Sequence, residues 1–162
     1  MSSTQASGES STEVPAAGTI DMKLEVVTVP VSDIDRAKSF YQGLGWRLDA
    51  DLVISDDIRL LQMTPPHSQC SIHFGKGLYP PTAMKPGSLD RLYLAVEDID
   101  AARDDLISRG VDVTEVEERP KPPGLDVPGR SYFAYASFSD PDGNKWLLQE
   151  ITTRIPGREW DD

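Results

Sequence analysis

One sequence pattern occurs twice in this chain, and the repeat is the feature that most restricts how the chain can fold. In residues 29–46, and again in residues 94–111, an apolar alternating run precedes Asp-Ile-Asp, an amphipathic segment and a glycine. Asp33 corresponds to Asp98, and Gly45 corresponds to Gly110, each pair being 65 residues apart. An ungapped repeat of this kind is typical of a duplicated structural unit. We therefore expect two copies of one supersecondary unit in tandem.

Each copy is expected to fold as a βαβββ unit. A β-branched run predicts the first strand, Ser32 or Asp33 caps an amphipathic helix, and three short apolar segments predict further strands. The second copy has the same order, with a strand predicted at residues 111–116 after its helix. The predicted fold class is α+β, with two tandem βαβββ modules forming a cup-shaped sheet and the helices outside.

The same pattern divides the chain into regions. Residues 1–20 form a Ser-rich tail without periodicity, which we expect to be disordered. Residues 22–151 form a single domain, with module one at 22–75, a Pro-rich linker at 76–88 and module two at 89–151. Residues 152–162 are a C-terminal tail.

Composition restricts the possible partners. A formal net charge of −11 repels phosphate backbones and anionic lipid, so we expect neither nucleic acid nor membrane as a partner. No apolar run approaches membrane-spanning length. The single cysteine, Cys70, excludes an internal disulfide and favours a reducing, cytoplasmic location.

Three segments of the chain resemble the vicinal oxygen chelate superfamily, which contains glyoxalases, bleomycin-resistance proteins and extradiol dioxygenases. They are Val-Pro-Val-Ser-Asp-Ile-Asp-Arg-Ala-Lys-Ser-Phe-Tyr with Gly-Leu-Gly-Trp, the second copy with Arg-Gly-Val, and Ser-Asp-Pro-Asp-Gly-Asn at residues 139–144. The resemblance covers roughly residues 22–151 and implies a paired-module fold with a central cup. It implies no single activity, because that superfamily includes metalloenzymes, metal-free binders and isomerases.

The metal enzymes of that superfamily take one ligand, a His, Gln or Glu, from the first strand and one from the last strand of each module. With a 76-residue offset between the two closing strands, the resemblance carries these positions onto Val26, Ser71, Arg91 and Leu147. This set does not suit a common divalent ion, and the cationic Arg91 would repel one. We therefore expect a metal-free member without a cofactor.

Strand alternation predicts which side chains line the cup. From the first strands they are Val26, Thr28, Arg91 and Tyr93, and from the closing strands Ser71, His73, Leu147 and Gln149. Such a half-apolar surface with a few convergent polar groups is typical of a small-molecule site.

Three of these residues are candidates for catalysis. His73 could act as a neutral general base, kept neutral by a nearby Arg91, which could itself bind a carboxylate or an enolate. Tyr93 could donate its hydroxyl or stack on a ring. Each has a structural alternative that the sequence leaves open: a satisfied polar strand residue, a salt bridge and a wall residue. The ligand-binding candidates are Val26, Thr28, Ser71, Leu147 and Gln149.

The leading functional hypothesis is a metal-independent protein that sequesters a small organic molecule in its cup. The alternative is a metal-free isomerase, lyase or cyclase acting next to a carbonyl, with His73 as base and Arg91 as clamp. A glyoxalase-type metalloenzyme is a weaker third hypothesis. We expect a homodimer. The sequence leaves open whether the cup closes within one chain, and whether residues 117–130 form a lid.

Overall fold

The computed structural model describes residues 20–78, 80 and 84–159. Module one contains β1 (Val26–Thr28), α1 (Ile34–Gly43), β2 (Arg47–Ser55), β3 (Ile58–Thr64) and β4 (Ser71–Lys76). Module two contains β5 (Asp90–Val96), α2 (Ile99–Ser108), β6 (Glu117–Glu118), β7 (Ala134–Ser139) and β8 (Lys145–Glu150). The predicted α+β class with two tandem βαβββ modules is confirmed.

Parts of the predicted regions lie outside the described residues. These parts are residues 1–19 of the N-terminal tail, residues 79 and 81–83 of the linker, and residues 160–162 of the C-terminal tail. Within the ranges that are described, no helix has the length and hydrophobicity needed to cross a membrane.

Each module forms its own four-stranded sheet, in the order β1-β4-β3-β2 in module one and β5-β8-β7-β6 in module two. The first strand of each module runs parallel to its last strand, and the other neighbours are antiparallel. Side chains from the first and last strands therefore lie side by side on one face of each sheet, which we call the cup face. The helix packs on the other face.

The repeated Asp-Ile-Asp and glycine mark where each helix begins and ends. The side chain of Asp33 accepts a hydrogen bond of 3.0 Å from the backbone of Arg36, and Asp98 caps α2 in the same way. After the helices, Gly45 and Gly110 have φ angles of 84° and 85°, a left-handed conformation that glycine adopts readily.

The two modules share one hydrophobic core, which lies on the helix side of both sheets. Tyr41 of α1 meets Trp146 of β8 edge to face, with ring centroids 6.1 Å apart. Trp46 lies 5.0 Å from the same Trp146 ring. Because the helix sides join in this core, the cup faces point away from it. Leu52 and Tyr93 on the cup faces remain 51% and 56% exposed.

The strand predicted at residues 111–116 is wrong. Those residues are extended but irregular, and pairing with β7 begins only at Glu117–Glu118. Val113 is buried, while Val111 and Val116 pack against the core from partly buried positions. Alternate valines therefore produce a strand-like pattern through burial alone. One backbone hydrogen bond, from Thr114 to Ser137 at 3.0 Å, joins this segment to β7.

Candidate functional site

The cup face of module one carries a hydrogen-bonded pair at its centre. Thr28 of β1 lies opposite His73 of β4, and the Thr28 hydroxyl is 2.7 Å from Nε2 of the imidazole. Burial lowers the pKa of His73, because a charged imidazole loses hydration there. His73 is therefore mainly neutral at pH 7, as the sequence-based hypothesis of a general base requires.

Ser71 belongs to a buried chain of hydrogen bonds beside that pair. Its hydroxyl lies 2.7 Å from that of Thr64, which in turn donates to the carboxylate of Asp49. Burial acts to raise the pKa of Asp49, but hydrogen bonds from Thr64 and Arg47 hold it below its usual range. Ser71 is only 6% exposed, so it presents little surface to a ligand.

The cup face of module two is more open. Tyr93 of β5 lies opposite Leu147 of β8, which lies opposite Ser137 of β7. One row further along, Gln149 lies opposite Tyr135 and donates a 3.0 Å hydrogen bond to the backbone carbonyl of Tyr132. The predicted residues Tyr93, Leu147 and Gln149 therefore lie together on one face.

Arg91 sits in an irregular part of β5. The register shifts between Asp90 and Leu92, and Arg91 itself has a φ of 106°, a left-handed value that is rare for a side chain other than glycine. A β-bulge changes the direction in which a side chain points, and strained backbone is concentrated at functional positions. Arg91 is exposed and lines a cavity on the cup face of module two.

This cavity has a volume of about 110 Å³ and includes residues that the sequence did not indicate. Arg119, Tyr135 and Lys145 line it together with Arg91 and Leu147. The guanidinium carbon of Arg119 lies 4.9 Å from the centroid of the Tyr135 ring. Alternation in β7 could have placed Tyr135 on the cup face. Arg119 follows a two-residue strand in a Pro-rich segment, where no periodicity predicts its direction.

A larger depression, of about 490 Å³, lies away from the cup faces, beside the start of α1. Its charged lining includes Asp33, Asp35 and Arg59. Arg59 already donates to the carboxylates of Asp35 and Asp51 at 2.8–2.9 Å, so its charge is matched within the fold. This depression does not include the predicted site residues.

The 76-residue offset used for the closing strands is wrong by two residues. Thr28 lies opposite His73, and its counterpart Tyr93, 65 residues further on, lies opposite Leu147. The closing strands are therefore offset by 74 residues, which is 147 less 73. Under this register, the position equivalent to Leu147 is His73 and not Ser71.

The corrected positions still do not fit a divalent cation. They are now Val26, His73, Arg91 and Leu147, which supply one imidazole and one cationic group. Across the described ranges, no group of three or more His, Cys, Asp or Glu residues could hold a metal ion. The donor set therefore gives no support to the metal chemistry found elsewhere in the superfamily that the chain resembles.

The structure separates the two residues predicted to act as base and clamp. His73 lies on β4 of the first sheet and Arg91 on β5 of the second sheet. Burial is the cause of the lowered pKa of His73, so the predicted influence of Arg91 on that pKa is wrong within one chain.

The Pro-rich segment proposed as a lid is anchored at its C-terminal end. Arg130 donates to the carboxylates of Glu150, Asp100 and Glu118 at 2.7–3.2 Å. The next residue, Ser131, is fully buried and donates to a backbone carbonyl at 2.8 Å. A lid movement would therefore have to hinge before Arg130.

The profile of the Glyoxalase/Bleomycin resistance protein/Dioxygenase superfamily matches residues 23–148. The chain belongs to this superfamily. Among solved structures, TnmS3, described as an antibiotic binding protein from Streptomyces sp. CB03234, is 37% identical, with a TM-score of 0.60. The match covers 83% of this chain and 99% of TnmS3.

Two further superfamily structures are similar. A glyoxalase/bleomycin resistance protein from Streptomyces sp. CB03234 is 37% identical over 79% of this chain and 100% of its own, with a TM-score of 0.58. A superfamily member from Sphaerobacter thermophilus DSM 20745 is 31% identical over 80% of this chain and 98% of its own, with a TM-score of 0.61. No curated protein matches the sequence.

Proposed function

We propose that this superfamily member binds a small organic molecule on its cup faces and sequesters it without a metal ion. The observation that carries the proposal is the similarity to TnmS3, described as an antibiotic binding protein, at 37% identity over 83% of the chain. The composition of the cup faces supports it. Aromatic and apolar side chains, Tyr93 and Leu147, lie beside polar groups from Gln149 and Arg91.

The binding unit in this proposal is a homodimer in the cytoplasm. Pockets for drug-sized molecules have volumes of about 300–1,000 Å³, whereas the cavity on module two has about 110 Å³. Leu52 and Tyr93 on the two cup faces are more than half exposed. Two copies that pair the module-one face of one with the module-two face of the other would bury these side chains and enlarge the cavity.

A ligand panel tests the proposal. Purified protein is screened by thermal shift and calorimetry against aromatic polyketide, peptide and glycopeptide antibiotics, with light scattering to measure its mass. We expect a dimer that binds at least one compound and releases it chemically unchanged. Tyr93→Ala should weaken that binding at least tenfold, whereas Gln42→Ala, on the exposed surface of α1, should not change it. A monomer, or binding unaffected by Tyr93→Ala, contradicts the proposal.

Metal independence has its own test. Ligand binding should be the same after dialysis against a chelator and after addition of zinc, nickel or iron(II). Elemental analysis of the untreated protein should find these metals well below one per chain. A stoichiometric metal whose removal abolishes binding contradicts this part of the proposal.

A metal-free isomerase or lyase is the second candidate, favoured by the lowered pKa of the cup-face imidazole. In the proposed dimer, His73 of one copy and Arg91 of the second copy would face the same cup, as general base and as a clamp for the developing oxyanion. The bound compound should then be recovered as an isomer or a cleavage product, and His73→Gln should abolish turnover while retaining binding. Unchanged recovery of every bound compound contradicts this candidate.

A further inference from the structure

The cavity on the cup face of module two has an unusual charge. Three cationic side chains line it, those of Arg91, Arg119 and Lys145, against the single carboxylate of Glu117. That carboxylate is 3.7 Å from Nε of Arg119, a long contact between two side chains that are more than half exposed. A local excess of positive charge therefore exists in a chain whose formal net charge is −11.

Acidic residues neutralise arginines elsewhere in this fold. Arg59 is held by two carboxylates and Arg130 by three. In the described part of the chain, by contrast, no ion pair includes Arg91 or Lys145. Two cations at one cavity repel each other, and an anion placed between them would relieve that repulsion.

The geometry of the two guanidinium groups is suited to an anion. Arg119 lies over the Tyr135 ring at 4.9 Å, so a cation–π contact limits its motion and leaves its N–H donors available at the edge. Arg91 is directed by a bulge with a φ of 106°. A guanidinium presents a planar fork of donors that matches a carboxylate.

We propose that this cavity is a subsite for the anionic group of an aromatic ligand, such as a carboxylate or an ionised phenol, bound by Arg91, Arg119 and Lys145. This inference rests on the proposed function and specifies the class of ligand. A volume of about 110 Å³ accommodates a carboxylate with the edge of one ring. The rest of the ligand lies over Tyr93, which is 56% exposed and opposite the cavity residue Leu147.

Naphthoate and its uncharged amide, naphthamide, are matched probes for this subsite. Calorimetry on the full chain should find that naphthoate binds about tenfold more tightly than naphthamide, since a hydrogen bond to a charged group contributes about 1.5–3 kcal/mol. Arg91→Gln and Arg119→Gln should each remove most of that preference and leave naphthamide affinity unchanged. Arg158→Gln, an exposed tail residue outside the cavity, is the matched control and should change neither affinity.

Salt dependence provides a second measurement that needs no variant. Raising sodium chloride from about 0.05 M to about 0.5 M should weaken naphthoate binding and leave naphthamide binding unchanged. Equal affinities for the two probes, or no naphthoate binding, overturns the subsite. So does an effect of the arginine variants on oligomeric mass alone, which would assign these cations to a subunit interface.

The outcomes separate this inference from the proposed function. If naphthamide or an uncharged antibiotic binds as tightly as naphthoate, small-molecule binding stands and the anionic subsite falls. If the antibiotic panel finds no ligand but naphthoate binds through Arg119, the subsite stands and sequestration of an antibiotic falls.

Discussion

The phenol of Tyr41 donates a 2.9 Å hydrogen bond to the carboxylate of Asp140, which joins the helix of module one to the β7–β8 turn of module two. The same oxygen accepts a 3.0 Å hydrogen bond from the indole of Trp146. Asp140 in turn accepts from the backbone and side chain of Asn144, whose amide also donates to the carbonyl of Pro30. One hydroxyl thus connects the two modules inside their shared core.

Removing that hydroxyl should destabilise the whole chain. Tyr41→Phe leaves the buried indole N–H of Trp146 without its acceptor, and an unsatisfied buried group costs about 1–3 kcal/mol. We expect urea unfolding to report a decrease of that size in the free energy of unfolding. Tyr93→Phe, at a position 56% exposed, is the matched control and should change it by less than about 0.5 kcal/mol. Equal effects of the two variants would disprove a structural role for the Tyr41 hydroxyl.

The backbone at Arg91 should be strained, and a pair of variants isolates that strain. Arg91→Gly and Arg91→Ala both remove the guanidinium, but only glycine adopts a φ of 106° without steric conflict. We expect Arg91→Gly to be more stable than Arg91→Ala by about 1 kcal/mol in urea unfolding. The same comparison at Ala95, where the φ is not positive, should favour alanine over glycine. Greater stability of Arg91→Ala would mean that the bulge relaxes.

The imidazole of His73 should titrate below the ordinary range. The chain has two histidines, so His67→Gln leaves His73 as the single imidazole signal in an NMR titration. Because burial lowers the pKa of His73, its midpoint should lie below the value of about 6.5 found in unfolded chains. The unfolded state then binds a proton that the folded state does not, and stability from this residue is lost as the pH falls below about 6.5. A midpoint at or above 6.5 would contradict the burial of the ring.

The Pro-rich segment should depend on Arg130 for its order. Arg130→Gln leaves the carboxylate of Glu150, which is 8% exposed, without its cationic partner. Loss of such a partner destabilises by about 2–4 kcal/mol. We expect a decrease of that size in urea unfolding, with faster amide exchange in residues 119–130. Arg109→Gln, which removes an exposed ion pair to Asp105 on α2, should cost less than about 1 kcal/mol. Unchanged exchange in the segment would show that other contacts hold it.

Local features of the sequence predicted much of this molecule. The capping Asp33 and Asp98 and the terminating Gly45 and Gly110 act within one helical turn, so their spacing alone located both helices. Strand alternation is equally local, and it placed Tyr93 and its partners on one face, as the strand register shows. Helix ends and strand faces depend on neighbours in sequence.

Features that depend on pairing between distant segments were not predictable in this way. The connection between the last two strands is residues 65–70 in module one and 140–144 in module two. Loops of different length make turn residues a poor guide to register, so His73 rather than Ser71 proved equivalent to Leu147. The valines at residues 111–116 alternate as in a strand, yet only the tertiary structure shows that they are buried without a ladder.

The sequence by itself therefore determined two βαβββ modules, their helix boundaries and the residues available on each cup face, because hydrophobic period and capping are properties of short segments. Only the tertiary structure decided that the modules join through their helix sides, that His73 and Arg91 lie on separate sheets, and that Arg119 reaches the cavity beside Arg91. Those outcomes depend on packing and hydrogen bonds between residues far apart in the chain, whose free energies no local pattern records.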